Sequence, residues 1–285
     1  MKKFISIDFE DFAHDLKRSL GIWETGPLRE KALWESYKEI NDFLSQIGGS
    51  EKGSKATFFC TAVIAKELPE LIKEISSDGH EIGCHYYFHD DMDKQSIYEV
   101  ESMLGKAKDE LERAAESEVI GFRAPKFKIN QATPEQYLAV ERFFEYDSSL
   151  SVNQPIEIES FIKKMGLREL KILPVFWEDL MGRKMKLGGS FMKLFPESFS
   201  RYLMLQANKN GLNPHIYLHP YEFNDLQAFK VSMKELKSLG FFKSTYWSLR
   251  QNQWHKVGNK SLKHKVSNLI GGEGLGGTLK ENLLN

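Results

Sequence analysis

The chain has 285 residues, enough to bury a large core without staples, and room for two small domains or one barrel. Hydrophobic residues make up 41% and charged residues 28%, as in ordinary globular proteins, and 39 basic against 40 acidic side chains leave a formal charge of −1. That balance excludes bulk electrostatic binding to nucleic acid or an anionic membrane, but not a local basic patch. In chain order, Lys2 and Lys3 precede an apolar run that Asp8 breaks after Phe4, Ile5, Ser6 and Ile7. A secretory leader needs roughly 7 to 15 apolar residues and a membrane span about 18, so a cytosolic protein is expected. Residues Lys3 to Phe9 read as a first strand, followed by a polar loop to about Pro27. Leu33, Tyr37, Ile40, Leu44 and Ile47 recur at helical spacing until Gly48 and Gly49 stop them. Ala56 to Cys60 is a second strand, Leu68 to Ile75 a helix ended by Asp78 and Gly79, and His80 to Cys84 a third strand. Cys60 and Cys84 are too few for a disulfide scaffold and read as buried free thiols. Ile97, Val100, Leu104, Ala107 and Leu111 form the next amphipathic stripe, before a strand at Val119 to Phe122. Later strands are expected at Ile172 to Phe176 and at His215 to Leu218, with a helix near Pro196 to Asn210 between them.

Strands and helices alternating this often fit a (β/α) barrel or a variant of one, with a doubly wound open sheet as the other arrangement. In both, polar residues just past strand C-termini build the site. After Trp254 the composition changes: His255, Lys256, Lys260, Lys263, His264 and Lys265 are basic, and Gly271 to Gly277 is glycine-rich. Residues 272 to 277 spell G-x-G-x-x-G, but neither follow a clear strand nor open a βαβ unit, so a mobile tail is expected rather than a nucleotide site. The basic stretch reads as a solvated face, with an anionic lipid surface or a phosphate as its other use.

Four stretches carry chemistry. His85 and His89, directly after the third strand, share one face if the segment turns helical, so both imidazoles reach one ion. Asp90 and Asp91 either orient those rings or form a solvated acidic cap. Asp8, Glu10 and Asp11 close an otherwise apolar strand, where buried carboxylates are costly without a cation. Asp8 and Glu10 point the same way, Asp11 lies just past them; one of the three could complete a two-histidine, one-carboxylate site, and another could act as general base. Arg123, stiffened by Pro125, could clamp a catalytic carboxylate in a bidentate pair. His219, after the strand ending at Leu218, is a candidate general acid if it faces the same mouth.

The ordered set resembles the polysaccharide deacetylase (NodB-homology) family of carbohydrate esterases, in its D-x-E branch. It comprises D-x-E-D at 8–11, ATFF at 56–59, G-H-E-I-G-x-H-x-x-x-H at 79–89, R-A-P at 123–125, Y-D-S-S at 146–149 and L-H-P at 218–220. The resemblance runs from Ile5 to about Phe223. It implies a distorted (β/α)7 barrel and one divalent metal, commonly zinc; with the composition change, a catalytic barrel is expected over residues 1–250 and a basic, glycine-rich tail over 251–285. It makes Asp8 the base, Arg123 its positioner, His219 the acid, and His85 and His89 metal ligands. Glu10 is the third ligand in that branch, with Asp11 as the alternative. Asp147, Ser148 and Ser149 would buttress the site, Tyr221 and Glu222 would line it, and Lys126 and Phe127 would contact substrate, one of them lending a backbone N–H to the oxyanion. Tyr86 stands where the family has a small Ser or Thr, and Phe127 supplies the aromatic expected there. The implied activity is removal of N-acetyl groups from an acetamido sugar. An intermediate of surface-polysaccharide assembly, lipid- or nucleotide-linked, is expected as substrate, with a peripheral contact to a membrane-linked glycan and no nucleic-acid partner. The competing readings are a metal-free or differently specific amide hydrolase of the cyclic-ureide type, and a non-catalytic carbohydrate-binding barrel.

Overall fold

A computed structural model describes residues 2–47, 54–180, 182–223, 227–271 and 274–284. Ten strands occur among them: β1 (Phe4–Phe9), β2 (Thr57–Cys60), β3 (Glu81–Cys84), β4 (Gly121–Phe122), β5 (Tyr146–Asp147), β6 (Ser151–Val152), β7 (Lys171–Ile172), β8 (Val175–Leu180), β9 (Arg183–Lys186) and β10 (His215–Leu218). Seven form one sheet in the order β10-β1-β2-β3-β4-β5-β7, every neighbouring pair parallel. Strands β6, β8 and β9 make a second, smaller sheet. The strands alternate with helices, and the result is a distorted (β/α)7 barrel.

Alternation along β1 explains what the barrel encloses. Ile5, Ile7 and Phe9 join the main hydrophobic core, while Ser6 and Asp8 are buried among polar partners. β10 repeats the pattern, with Ile216 and Leu218 in the core and His215 on the polar side. The helix Ile97–Ala115 buries Val100, Leu104, Ala107 and Leu111, and starts at a capping box in which Ser96 and Glu99 satisfy each other's backbone N–H groups. Cys60 and Cys84 lie opposite each other in the β2–β3 register, both buried and unlinked.

Several expectations need correction. The stretch expected as a loop to Pro27 contains a helix, Phe12–Ser19, capped by Asp11. Ile172 to Phe176 is not one strand: β7 ends at Ile172, and β8 starts at Val175 in the other sheet. The segment from 251 is not a free tail in its described residues, because the helix Phe241–His255 runs across that boundary. A further helix, Asn259–Ile270, buries Leu262, Val266, Leu269 and Ile270, so its lysines are the outer side of a packed helix. Beyond it, Gly276 N–H donates to the Lys3 carbonyl, and Leu279 packs with Phe4, Phe59, Ile120 and Tyr146 at the base of the barrel. Backbone N–H groups of Leu279 and Lys280 donate to Thr57 Oγ1 and Glu81 Oε2 there. Gly48, Gly49 and the first two positions of the 272–277 glycine motif lie outside the described residues.

Candidate active site

The strand ends converge on one cavity of about 320 Å³ whose walls include Asp8, Glu10, His89, Lys126, Phe127 and His219. Asp8 belongs to β1 and Glu10 follows it; His85 and Arg123 follow β3 and β4, and His219 follows β10. This is the C-terminal mouth of the barrel.

Arg123 is the deepest anchor, with no exposed surface. Its Nη1 donates to Asp8 Oδ1 at 2.6 Å and to Ser6 Oγ at 2.7 Å. Its Nη2 donates to Ser148 Oγ at 2.9 Å and lies 3.2 Å from His215 Nε2, and its Nε reaches the Ser148 carbonyl. Because guanidinium only donates, His215 Nε2 accepts, and burial together with Arg123 keeps that imidazole neutral. The pair with Asp8 is a single hydrogen bond, not a bidentate fork: the other donors are spent on Ser6, Ser148 and His215. Burial would raise the Asp8 pKa, but Arg123 overrides it and lowers the value to about 2. Asp147 accepts from Ser149 N and Oγ, and Ser149 Oγ accepts from Ala124 N, which fixes the loop carrying Arg123.

Glu10, His85 and His89 form a second group, with one ligand atom from each lying within 4.8 Å of the others. His85 Nδ1 donates to the Arg123 carbonyl at 2.8 Å, so Nε2 carries the lone pair. Burial pushes the His85 pKa down to about 4, which keeps the ring neutral. His89 Nε2 lies 2.7 Å from Glu10 Oε2, and His85 Nε2 lies 3.9 Å from it. The short approach is not aligned as a hydrogen bond, and both Glu10 Oε2 and His85 Nε2 are buried without a hydrogen-bond partner. Orphaned atoms of this kind are expensive unless a cation satisfies them. Two imidazoles and a carboxylate are the donor set of an open catalytic zinc site, and they also suit other divalent ions. The residues present fit a metal.

The route to that group differs from expectation. Residues 85–89 are not helical; Tyr86 takes a left-handed φ of 67°, and its hydroxyl donates to Gln95 Oε1 at 2.5 Å. This bend brings the two rings to 5.2 Å between centroids. Asp11 is no ligand: its carboxylate accepts from the backbone N–H groups of Ala13, His14 and Arg29. Asp90 pairs with Arg18, and Asp91 gathers Lys94, Lys126 and Lys128, so neither orients a histidine.

His219 stacks on Tyr221 at 5.0 Å and places Nδ1 3.2 Å from Glu222 Oε2. Glu222 also accepts from the His219 backbone N–H, so it stands behind His219 and is not among the cavity's walls, contrary to the expectation that it lines the site. Burial disfavours the His219 cation, but the Glu222 carboxylate outweighs it and raises the pKa to about 9. Lys126 and Phe127 line the cavity, but Phe127 N–H is spent on the Ala124 carbonyl and is not available to an oxyanion. Both residues have positive φ, 56° and 58°.

Sequence reasoning missed five contributors. Ser6 and His215 hold Arg123, and Ser6 was readable as the next polar residue on the Asp8 face of β1. Asp15 lines the cavity with Oδ1 on His14 and Oδ2 unpartnered, and burial raises its pKa to about 6. Trp247 and Trp254, from the helix Phe241–His255, form the aromatic side of the cavity with Phe12.

Residues 34–141 match the family model described as polysaccharide deacetylase, and residues 152–253 match a domain of unknown function, DUF3473. The peptidoglycan-N-acetylglucosamine deacetylase of Bacillus cereus is 37% identical over 73 residues, 26% of this chain and 24% of that protein. The peptidoglycan deacetylase of Helicobacter pylori is 26% identical over 144 residues, 50% of this chain and 43% of that one. The matches thus span less than half the length of these curated relatives. Among solved structures, one from Mycobacterium smegmatis described as a polysaccharide deacetylase superposes with a TM-score of 0.59 at 17% identity, covering 99% of this chain and 89% of that one. A CE4 family pseudoenzyme from Bacillus anthracis superposes at 0.50 with 15% identity, covering 98% and 65%. These structures share the fold, and the second shows that the fold alone does not guarantee turnover.

Proposed function

We propose, on the premise that the chain belongs to the polysaccharide deacetylase family, that it is a metal-dependent hydrolase removing N-acetyl groups from an acetamido sugar. The observation that carries this is the set of ligand atoms on Glu10, His85 and His89, two of them orphaned, in one cavity with a carboxylate held by arginine and an imidazolium held by glutamate. An intermediate of surface-polysaccharide assembly, handled in the cytoplasm, is the substrate class we favour.

A divalent ion held by Glu10, His85 and His89, zinc by our reading, would supply Lewis acidity, acidifying a water and polarising the amide carbonyl. Asp8, ionised at every working pH, takes the proton of the water that attacks the acetyl carbon. With a pKa of about 2 it is a weak base and serves only a water already made acidic. Arg123 keeps Asp8 in place and ionised, and the Lys126 backbone N–H is our candidate donor to the carbonyl oxygen. His219 gives its proton to the sugar nitrogen as the C–N bond breaks. Acetate and a free amine leave. Trp247, Trp254 and Tyr221 offer ring faces to the pyranose and exclude water from the reacting centre.

Metal analysis of the purified protein, followed by acetate assays on N-acetylglucosamine oligomers with and without chelator, tests this reading. Bound metal and chelator-sensitive release are expected. Release that survives complete metal removal would favour metal-free amide hydrolysis, and bound metal without release from any acetylated sugar would favour a binding barrel.

The acid assignment has its own pH signature. His219 must be protonated to act, so activity falls as pH rises through its pKa of about 9. In Glu222→Gln the opposing charge is gone and the imidazole loses its proton sooner. The alkaline limb of kcat should move down by about one pH unit or more. An unmoved limb would remove His219 from the acid role.

A further inference from the structure

The helix Phe241–His255 is inverted with respect to an ordinary surface helix. Its fully buried residues are polar: Ser244 Oγ donates to the Leu236 carbonyl, and Gln251 exchanges hydrogen bonds with both backbone groups of Val231. These bonds fix which side faces in. Its outward side carries Phe242, 86% exposed, with Tyr246 and Leu249 at i+4 and i+7, at 56% and 66%. Phe241, also exposed, extends this stripe by one residue. Between the apolar stripe and the cavity tryptophans runs a row with Lys243 and Arg250, and the Arg250 guanidinium lies 4.3 Å from the centre of the Trp254 ring. Leu194 and Val257, both largely exposed, continue the patch around Arg250 and Trp254.

The charge around this face is one-sided. Residues 236–272 contain no aspartate or glutamate, in a chain whose net charge is −1. Lys237, Lys243, Lys256 and Lys260 there are exposed. Lys263 and Lys265 are otherwise engaged, with Glu39 and with the Met192 and Phe195 carbonyls. Exposed aromatic and aliphatic side chains on a segment whose only charged side chains are cationic have the chemistry of a helix lying in a membrane interface. Phe241, Phe242, Tyr246 and Leu249 form one exposed stripe, the kind of apolar patch that marks an interaction surface.

We propose that this face docks on an anionic lipid surface, which sets the cavity mouth, walled by the same helix, against the membrane. The proposal goes beyond the hydrolytic reading and does not rest on it, because it concerns where the protein sits and not what the cavity does.

Co-sedimentation of the full chain with vesicles of phosphatidylcholine alone, or of phosphatidylcholine mixed with phosphatidylglycerol, tests it. Binding is expected to the mixed vesicles only, and to weaken as salt rises from about 0.1 M to about 1 M, where the screening length falls from roughly 10 Å to 3 Å. The double variant Phe242→Ser, Leu249→Ser should lose at least about tenfold in partitioning, and Lys237→Glu with Lys243→Glu a similar factor. All four side chains are exposed, so thermal melts and acetate release in solution should match the parent. The proposal is overturned if the parent chain ignores the mixed vesicles, if it binds both kinds equally, or if the serine variant binds undiminished. It is also overturned if sedimentation reveals a dimer that the serine variant dissolves, since a second copy would then cover the face.

Discussion

Replacing Asp8 by asparagine is expected to lower kcat for acetate release by about 10² to 10⁴, the range a positioned general base supplies. Metal content should not change, because Asp8 is outside the Glu10, His85 and His89 group. The substitution keeps shape and leaves an oxygen to accept from Arg123 Nη1, but it removes a buried charge partner. Some destabilisation follows, about 1–3 kcal/mol, which thermal melts will separate from the catalytic loss. Ser6, Ser148 and His215 continue to hold the guanidinium, so the loop need not collapse. The parent's stability should carry the mirror image of this effect. The Asp8 pKa is depressed in the fold, so its contribution is complete above the unfolded value of 3.8 and is lost as pH falls towards about 2. An Asp8→Asn enzyme retaining most of its kcat would show that the proton goes elsewhere.

His85→Ala should abolish metal binding and turnover together, the latter by about 10³-fold or more, since several kcal/mol of charge stabilisation go with the ion. His85 is the ligand most constrained by the protein: it is buried, neutral and locked through Nδ1 to the Arg123 carbonyl. Elemental analysis gives the decisive number. Stoichiometric metal in the variant would place the ion somewhere other than between Glu10, His85 and His89. Added imidazole that restores some metal and activity would reinforce the assignment, since it replaces the missing ligand without the backbone.

The parts of the fold that follow one simple period were open to sequence reading. β1, β2, β3 and β10 are largely apolar runs followed at once by a polar residue, and the helix Ile97–Ala115 shows its buried stripe directly. The site residues at those strand ends were legible for the same reason. The helix Phe12–Ser19 was hidden because its buried side includes His14, Asp15 and Lys17, polar groups that break the apolar period. Asp15 was lost with it. Strands β4, β5, β6 and β7 have two residues each, too few to show alternation. Phe241–His255 misled differently: Phe242, Tyr246 and Leu249 point outwards while Ser244 and Gln251 point in, so no apolar stripe announced which side packs, and its two cavity tryptophans went unassigned. The cap formed by Asp11 was ambiguous because an aspartate after a strand serves a helix N-terminus or a cation equally well.

Leu279 and Lys280 donate to Thr57 and Glu81 from 222 and 199 residues further along the chain, while Leu279 stoppers the base of the barrel. During synthesis, β1 to β5 therefore emerge long before the plug that seals them exists. Any nascent chain or truncated product stopping short of residue 276 presents an unsealed apolar floor to chaperones and proteases, and is sealed only once that segment has been made.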